Sequence, residues 1–283
     1  MKQDPSRRQL VSGLLASALA TRLSAASPAS VTARALAAPG GSPAPGTAAA
    51  AGTAARTLVI GATGRLGRLI VGELHARGDA VRGLARDAAR AGAAFPGGVE
   101  IAVGDLRDPA SLAAALADVS HVVFAASASG GGVGENTPEN VDYGGVAALL
   151  RVLGERRLRQ FLLISSAAVT QRLHPHNLWK DILLWKFRSE ELLRASGQPY
   201  TILRPCGLRS YPGGARSIQC AQGDHFAFGY VIARDDAARV CAAAVAAPAA
   251  LRKTFEAYND DAPAAALEAQ FAALHEDPAA SAA

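Results

Sequence analysis

Short apolar runs alternate with segments of helical periodicity through most of the chain after residue 55. The apolar runs predict strands at 57–60, 80–84, 99–103, 121–125, 160–165, 200–204 and 253–258. The segments between them predict helices at 65–77, 109–117, 140–156, 178–197, 234–247 and 264–275. Such alternation is typical of a parallel sheet with helices on both faces. We therefore predict an α/β fold, a doubly wound parallel sheet in a single domain at 56–276, followed by a disordered tail at 277–283.

The first strand runs directly into a glycine-rich turn of the form Gly-x-x-Gly-x-x-Gly, and a helix follows. In such a turn one glycine permits the tight bend, another lets the backbone approach a pyrophosphate, and the last lets helix and strand pack closely. The pyrophosphate then lies at the helix N-terminus. We expect a positive φ at the middle glycine. The residues predicted to hold a dinucleotide here are Gly61, Thr63, Gly64, Arg65, Leu66 and Gly67.

The spacing of these glycines resembles that of the atypical short-chain dehydrogenase/reductases, and the resemblance extends to about Tyr258. It includes Gly104-Asp105 after the third strand, Ser165-Ser166 at the end of the fifth and Leu203-Arg204-Pro205 at the end of the sixth. The branch in question contains single-domain NAD(P)H-binding proteins of the NmrA-like and flavin-reductase-like kinds. The resemblance implies a Rossmann-type fold, NADP or NAD as the cofactor, and an adenine contact by Asp105.

The residues after the second strand bear on which dinucleotide binds. A NAD site offers an acid to the ribose hydroxyls at this distance from the glycines. This chain has Arg86 there, with Arg82 before it and Asp87 after it. An arginine can bind a 2′-phosphate through charge-assisted hydrogen bonds. We therefore expect NADP(H) in preference to NAD(H), bound by Arg86, with Arg82 as a second candidate; the alternative is that Arg86 is a solvated residue at the start of a helix.

The nicotinamide is expected beside Ala125 and Ala126, where the fourth strand ends, and beside Ser166, where the fifth ends. The core short-chain dehydrogenases carry a Tyr four residues before a Lys that lowers the tyrosine pKa and positions the ribose. Lys186 stands where that lysine is expected, but Ile182 replaces the tyrosine. Ser166 and Lys186 are therefore the catalytic candidates, and the alternative for Lys186 is a lysine on a helix surface.

The histidines and cysteines indicate no further site. His174 and His176 are expected on a solvated loop rather than in catalysis. Cys206, Cys220 and Cys241 are expected to be thiols, with Cys241 a small core residue. The sequence contains no Cys-x-x-Cys and no close group with metal-ligand spacing, so we expect no metal.

The missing tyrosine affects which hydride acceptors are expected. A flavin or quinone can take its proton from water, so hydride transfer to such an acceptor needs no tyrosine. The leading interpretation is an NADP(H)-binding oxidoreductase that passes a hydride to a small unsaturated, aromatic or quinone/flavin-like acceptor. One alternative is a non-catalytic NAD(P)-binding redox sensor or assembly factor, which the missing tyrosine favours. An epimerase or dehydratase of the extended group is a third interpretation, although it needs the tyrosine even more.

Residues 1–55 have a different composition. Arg7-Arg8 followed by Leu10-Val11 resembles a twin-arginine signal, and the apolar stretch at 13–20 suits a cleaved export signal. That stretch is shorter than the roughly 20 apolar residues of a membrane span. We predict a signal at 1–38, a flexible linker at 39–55 and a periplasmic or otherwise exported protein without a transmembrane span, which uses the twin-arginine export machinery. The alternatives are an organellar transit peptide, an uncleaved anchor and a cytoplasmic protein.

The net positive charge of the chain is concentrated in residues 1–55, the predicted leader. It accounts for +4 of the formal net charge of +5, which leaves about +1 on the domain. No cluster of Lys and Arg with interleaved aromatic residues occurs. The basic character therefore does not indicate nucleic acid, and the expected partner is a small-molecule substrate.

Overall fold

The computed structural model describes residues 55–128, 134–178, 180–224 and 229–279. The predicted signal and linker lie outside the described residues, as does the end of the predicted tail. Within the described ranges no helix has both the length and the apolar character needed to cross a membrane.

The strands of the described part, in chain order, are β1 Arg56–Ile60, β2 Ala80–Ala85, β3 Glu100–Val103, β4 Val119–Phe124, β5 Gln160–Ile164, β6 Tyr200–Pro205, β7 Gly207–Arg209, β8 Ser217–Ala221, β9 Val231–Ala233 and β10 Lys253–Asp260. The α-helices are α1 Gly67–Ala76, α2 Ala88–Ala94, α3 Pro109–Ala115, α4 Gly144–Leu153, α5 Ile182–Ala195, α6 Arg234–Ala244 and α7 Leu267–Ala273. A π-helical turn, Glu139–Tyr143, leads into α4.

The main sheet has the strand order β3-β2-β1-β4-β5-β6-β10-β8. All neighbouring pairs from β3 to β10 are parallel, which confirms the predicted doubly wound sheet. The edge strand β8, which the apolar runs did not predict, pairs antiparallel with β10. The strand order reverses between β1 and β4, and ligands of such sheets bind beyond the carboxyl ends of the strands at that point.

Each face of the sheet has its own core. Along β1, Val59 belongs to one cluster and its neighbours Leu58 and Ile60 belong to the other, because successive side chains of a strand point to opposite faces. Residues of α1, α6 and α7 complete the first cluster, and residues of α3, α4 and α5 complete the second. Cys241 is buried in the first, as predicted.

Asp277 belongs to the folded domain. Its Oδ1 accepts a hydrogen bond from the Thr254 backbone N–H at 3.0 Å, and its Oδ2 accepts one from the Tyr200 hydroxyl at 3.0 Å. Arg194 forms an ion pair with the same carboxylate at 3.4 Å. The prediction that the disordered tail begins at 277 is therefore wrong for Asp277, which joins β6, α5 and β10.

Candidate functional site

The glycine turn between β1 and α1 is closed by its own backbone. Gly61 has a φ of +77°, and its carbonyl accepts a hydrogen bond from Gly64 N–H at 2.9 Å. A Cβ on Gly61 would lie 2.6 Å from the Ala126 nitrogen, and one on Gly67 would lie 2.1 Å from the Gly61 oxygen. Neither position accepts a side chain, so the turn can bring β1, β4 and α1 close together.

The positive φ lies at Gly61, and Gly64 has none. The expectation that the middle glycine needs a left-handed conformation is therefore wrong. A Cβ on Gly64 would meet only the Gly61 oxygen, at 3.1 Å, and Gly64 itself is exposed at the cavity wall. Gly64 thus leaves space for a ligand rather than relieving backbone strain.

The N-terminus of α1 is open to an anion. Leu66, its N-cap residue, makes no side-chain capping bond, and the first turn contains no acidic residue. The first N–H groups of a helix have no partner within the helix, and they carry a partial positive charge. Together with the open space at Gly64, they fit a pyrophosphate that approaches the turn.

Arg86 and Arg82 have different environments. Arg82 is buried, with its Nε donating to Glu100 Oε1 at 2.8 Å and its Nη1 donating to the Ala115 carbonyl at 2.7 Å. The second candidate for the 2′-phosphate is therefore wrong, because this guanidinium is engaged between β3 and α3. Arg86 follows β2, is exposed and lines the cavity, and it has no ion pair among the described residues.

Asp87 does not take the place of a ribose-binding acid. Its carboxylate accepts the Arg90 backbone N–H at 3.1 Å and so caps α2, a helix that the sequence analysis missed. Because the carboxylate is occupied at the helix N-terminus, Arg86 is the charged group that faces the cavity at this strand end.

Asp105 faces the same end of the cavity and is bound by Arg107. Its carboxylate accepts hydrogen bonds from Arg107 Nε at 3.0 Å and Nη2 at 2.9 Å. The side-chain hydrogen bond from Arg107 lowers the pKa of Asp105 to about 2. Arg107 also pairs with Glu135 at 3.0 Å. Asp105 is therefore a charged acceptor, and the adenine contact that the resemblance implies stays a prediction.

The strand ends at the centre of the sheet form the middle of the cavity. The Ala125 backbone N–H donates to the Ile60 carbonyl at 2.9 Å, which continues the pairing of β1 with β4 into the site. The Ser166 hydroxyl donates to the Ala167 carbonyl at 2.9 Å. The Ser165 hydroxyl is buried and has no hydrogen-bond partner in the described part of the chain. A ligand with polar groups fits this position, because a buried hydroxyl without a partner is costly.

Lys186 is buried rather than on a helix surface. Its Nζ lies 2.8 Å from Asp142 Oδ1, and the two side chains are 11% and 1% exposed. Asp142 Oδ2 accepts the Ala128 backbone N–H at 3.0 Å, so the pair also holds the segment that follows β4. The sequence analysis missed Asp142, because nothing in its local pattern places it beside α5.

Three further side chains line the cavity. His174 and His176 both line the cavity, and their rings meet edge to face with their centroids 4.8 Å apart. Partial burial and the nearby His174 lower the pKa of His176. Tyr230 also lines the cavity, and its ring packs against Tyr258 at 5.2 Å. The loop with His174 and His176, which was expected to be solvated, therefore also faces the site. No sequence motif indicated that Tyr230 lines the cavity.

One cavity of about 980 Å³ joins these groups. It extends from Arg86 and Asp105 at one end, past the glycine turn, to Lys186 and Tyr230 at the other. Small-ligand pockets are typically about 300–1,000 Å³, so this volume suits a large ligand or two smaller ones together. The predicted site residues that line it are Gly61, Thr63, Gly64, Arg65, Leu66, Gly67, Arg86, Asp105, Ala125, Ala126, Ser166 and Lys186.

A family model described as NAD(P)H-binding matches residues 61–248, a range that contains the glycine turn and most of the cavity wall. The chain belongs to this NAD(P)H-binding family. Its cofactor is accordingly NAD(P). The family includes oxidoreductases, among them a sanguinarine reductase of Eschscholzia californica, 29% identical over 238 residues, which cover 70% of this chain and 87% of the reductase.

The chain is also similar to two further proteins, one of them a solved structure. An uncharacterized chloroplastic protein of Arabidopsis thaliana is 33% identical over 210 residues, and the match covers 66% of this chain and 64% of that protein. The solved structure of a Bacillus halodurans protein named as an NAD-dependent epimerase/dehydratase matches with a TM-score of 0.68 at 27% identity, over 78% of this chain and all of that one. These names describe the relatives, and they do not point to one common reaction.

Proposed function

We propose that this protein is an NADP(H)-dependent oxidoreductase that passes a hydride to a small unsaturated, aromatic or quinone/flavin-like acceptor. The observation that carries the proposal is the single cavity, which joins the glycine turn and Arg86 to a second region beside Lys186, His174 and Tyr230. A dinucleotide bound at the turn leaves that second region for an acceptor, and both ligands then share one cavity.

The preference for NADP(H) over NAD(H) rests on Arg86. This guanidinium follows β2, faces the cavity and has no carboxylate partner among the described residues. Its neighbour Asp87 caps α2 and so does not offer an acid to the ribose. A 2′-phosphate would give Arg86 the close ion pair that it does not form with a carboxylate of the described residues, although its charge interacts with that of Asp105.

The residues around the reacting ring have separable roles. When bound, the cofactor supplies a hydride, and the acceptor also takes up one proton, so a quinone becomes a hydroquinone. Lys186, held by Asp142, places a positive charge where negative charge develops on the acceptor oxygen. The Ser165 hydroxyl is a donor and acceptor for the ligand. His174, His176 and Tyr230 restrict the acceptor end of the cavity and provide polar hydrogens there.

A non-catalytic dinucleotide-binding function is the second candidate. It is favoured by Ile182, which stands four residues before Lys186 where the core dehydrogenases have their tyrosine. In that function the cavity binds NADP(H) and the protein signals or assembles according to the redox state of the cofactor.

The two functions differ in turnover. We expect the purified protein to oxidise NADPH in the presence of menadione or riboflavin, with NADPH consumed in equal amount to the acceptor reduced under anaerobic conditions. Lys186→Met should lower kcat, and exposed Arg151→Gln, on α4 and outside the cavity, serves as the control. Tight NADPH binding without oxidation by any quinone, flavin or unsaturated acceptor would support the binding function instead.

For localisation we propose export through the twin-arginine route. The supporting feature is the Arg7-Arg8 pair ahead of a short apolar stretch. That route carries folded proteins, which suits a domain that must bind its cofactor before it leaves the cytoplasm. The Arabidopsis relative is named as chloroplastic, so an organellar transit peptide is the alternative.

A further inference from the structure

Three arginines of the cavity wall lie close enough to one another for their charges to interact. Arg65 lies in the glycine turn, Arg209 ends β7 and Arg234 begins α6, and all three line the cavity. Strand β7 pairs in parallel with β9, with Arg209 opposite Ala233. Because Arg234 follows Ala233 directly, Arg209 and Arg234 leave this small sheet side by side.

Their charges are not balanced by protein carboxylates. Within the described ranges, none of the three arginines forms an ion pair with a carboxylate. Burial lowers the pKa of Arg234, and the charges of Arg65 and Arg209 lower it further. Arg65 and Arg209 are exposed and Arg234 is half-buried. Like charges that lie near one another repel, so an anion placed among the three guanidinium groups is attracted by all of them.

The two acids that follow Arg234 in sequence face elsewhere. Asp235 Oδ2 accepts the Gly213 backbone N–H at 3.1 Å. Asp236 Oδ1 accepts the Gly214 backbone N–H at 2.9 Å and pairs with Arg239. These carboxylates hold the loop between β7 and β8, and the positive charge on the cavity wall is left for a ligand.

Arg234 is held in position by a hydrogen bond from its Nη1 to the Ser210 hydroxyl at 2.6 Å. Arg209 is exposed, and its Nη1 lies 3.8 Å from the position that a Cβ on the cavity-lining Gly207 would take. Arginines positioned before the ligand arrives lose less side-chain entropy when they bind it.

We infer that Arg209 and Arg234 bind an anionic substituent of the acceptor, namely a carboxylate, sulfonate or phosphate. The ring of the acceptor then packs against the cavity wall that is formed by Leu208, Tyr230 and Val231. The inference rests on the proposed function, because it concerns the acceptor of that reaction. The other source of the same chemistry is the cofactor pyrophosphate. The acceptor is favoured because Arg209 and Arg234 come from the small sheet and α6, whereas the N-terminus of α1 already offers N–H groups to the pyrophosphate.

FMN and riboflavin are a matched pair of probes, since they share the isoalloxazine ring and differ by the 5′-phosphate. For the wild-type protein we expect kcat/KM to be roughly tenfold higher for FMN, the order of effect of charge-assisted hydrogen bonds. In Arg209→Gln and Arg234→Gln the FMN preference should fall at least fivefold, with most of the loss in the FMN value and the Kd of NADPH unchanged. The control Arg151→Gln should keep the wild-type preference.

Binding measurements keep this test separate from turnover. Flavin fluorescence with NADP⁺-saturated protein gives the Kd of each flavin, whether or not the flavin is reduced. A second matched pair is 1,2-naphthoquinone and its 4-sulfonate, which differ only by the anionic group. Preference for the anionic member that is lost in both variants supports the inference even if no turnover occurs. Equal binding or no binding within both pairs overturns it. A weaker Kd for NADPH in the variants, with the FMN preference intact, assigns the arginines to the pyrophosphate and also overturns it.

Discussion

At the scale of single residues, Gly64 and Gly67 differ although they belong to one motif. A methyl group on Gly67 would overlap the Gly61 carbonyl, whereas one on Gly64 would meet the same oxygen at 3.1 Å and otherwise face the cavity. The backbone can accommodate the second contact by a small shift, but the first requires the turn to open.

We therefore expect Gly67→Ala to lower the free energy of unfolding by about 1–3 kcal/mol, the usual cost of overpacking, and to weaken NADPH binding as well. Gly64→Val should leave the unfolding free energy within about 1 kcal/mol of wild type yet abolish binding, because the side chain fills the space for the pyrophosphate. Urea unfolding and calorimetric titration measure the two effects. Retained NADPH affinity in Gly64→Val would show that the turn does not hold a dinucleotide.

Arg86 carries the prediction about cofactor choice. Arg86→Ala should weaken NADPH binding by roughly tenfold or more, as expected for loss of a charge-assisted hydrogen bond, and should change NADH binding little. Arg90→Ala, one turn into α2 and outside the cavity, is the control. Calorimetry with both dinucleotides tests this, and equal affinity of the wild type for NADPH and NADH would contradict the assignment.

At the scale of elements, the apolar runs predicted the long buried strands well because each is covered on both faces. The predicted strand at 57–60 is β1 at Arg56–Ile60, and the predicted 253–258 is β10 at Lys253–Asp260. The short elements were missed for a physical reason. Strands β7 and β9 have three residues each, and α2 is a run of small residues, so none of them shows a periodic apolar face.

The site, too, could be predicted only in part from the sequence. The glycine turn and the strand ends lie within continuous stretches of sequence, so their clustering follows from the sheet topology. The partner of Lys186 and the approach of Arg209 to Arg234 depend on contacts between distant segments. The predicted helix at 178–197 shares only its first residue with a 3₁₀ turn, Pro175–Leu178. Asp181 has a φ of +55°, and α5 begins at Ile182. Local patterns do not encode such contacts.

The buried ion pair between α5 and the π-helical turn gives the prediction at this scale. Lys186→Met leaves the Asp142 carboxylate buried without its cation, so we expect the free energy of unfolding to fall by about 3–5 kcal/mol. Asp142→Asn in the Lys186→Met background should recover part of that loss, since the charge is then removed. Urea unfolding of both single variants and the double variant measures the coupling. Additive losses would contradict a direct interaction.

At the scale of the whole molecule, the signal predicted at 1–38 concerns where the domain acts. If Arg7 and Arg8 form a twin-arginine signal, replacing both with lysine should retain the precursor in the cytoplasm although the charge is unchanged. A transit peptide or a general secretory signal depends more on charge and should tolerate the change. Cell fractionation with sequencing of the mature N-terminus checks this. Unchanged export of the double variant would remove the twin-arginine interpretation.

In the proposed reaction one cavity holds the dinucleotide and the acceptor together, so that the hydride passes between them in a fixed geometry. A protein-held nicotinamide presents one face to the acceptor, whereas a reaction in free solution uses both faces. The sharpest measurement is oxidation of (4R)- and (4S)-[4-²H]NADPH by an acceptor that the protein reduces, with the deuterium content of the NADP⁺ read by mass spectrometry. We predict that one epimer loses its deuterium and the other retains it. Similar deuterium content in NADP⁺ from both epimers, or oxidation no faster than without protein, would contradict the claim.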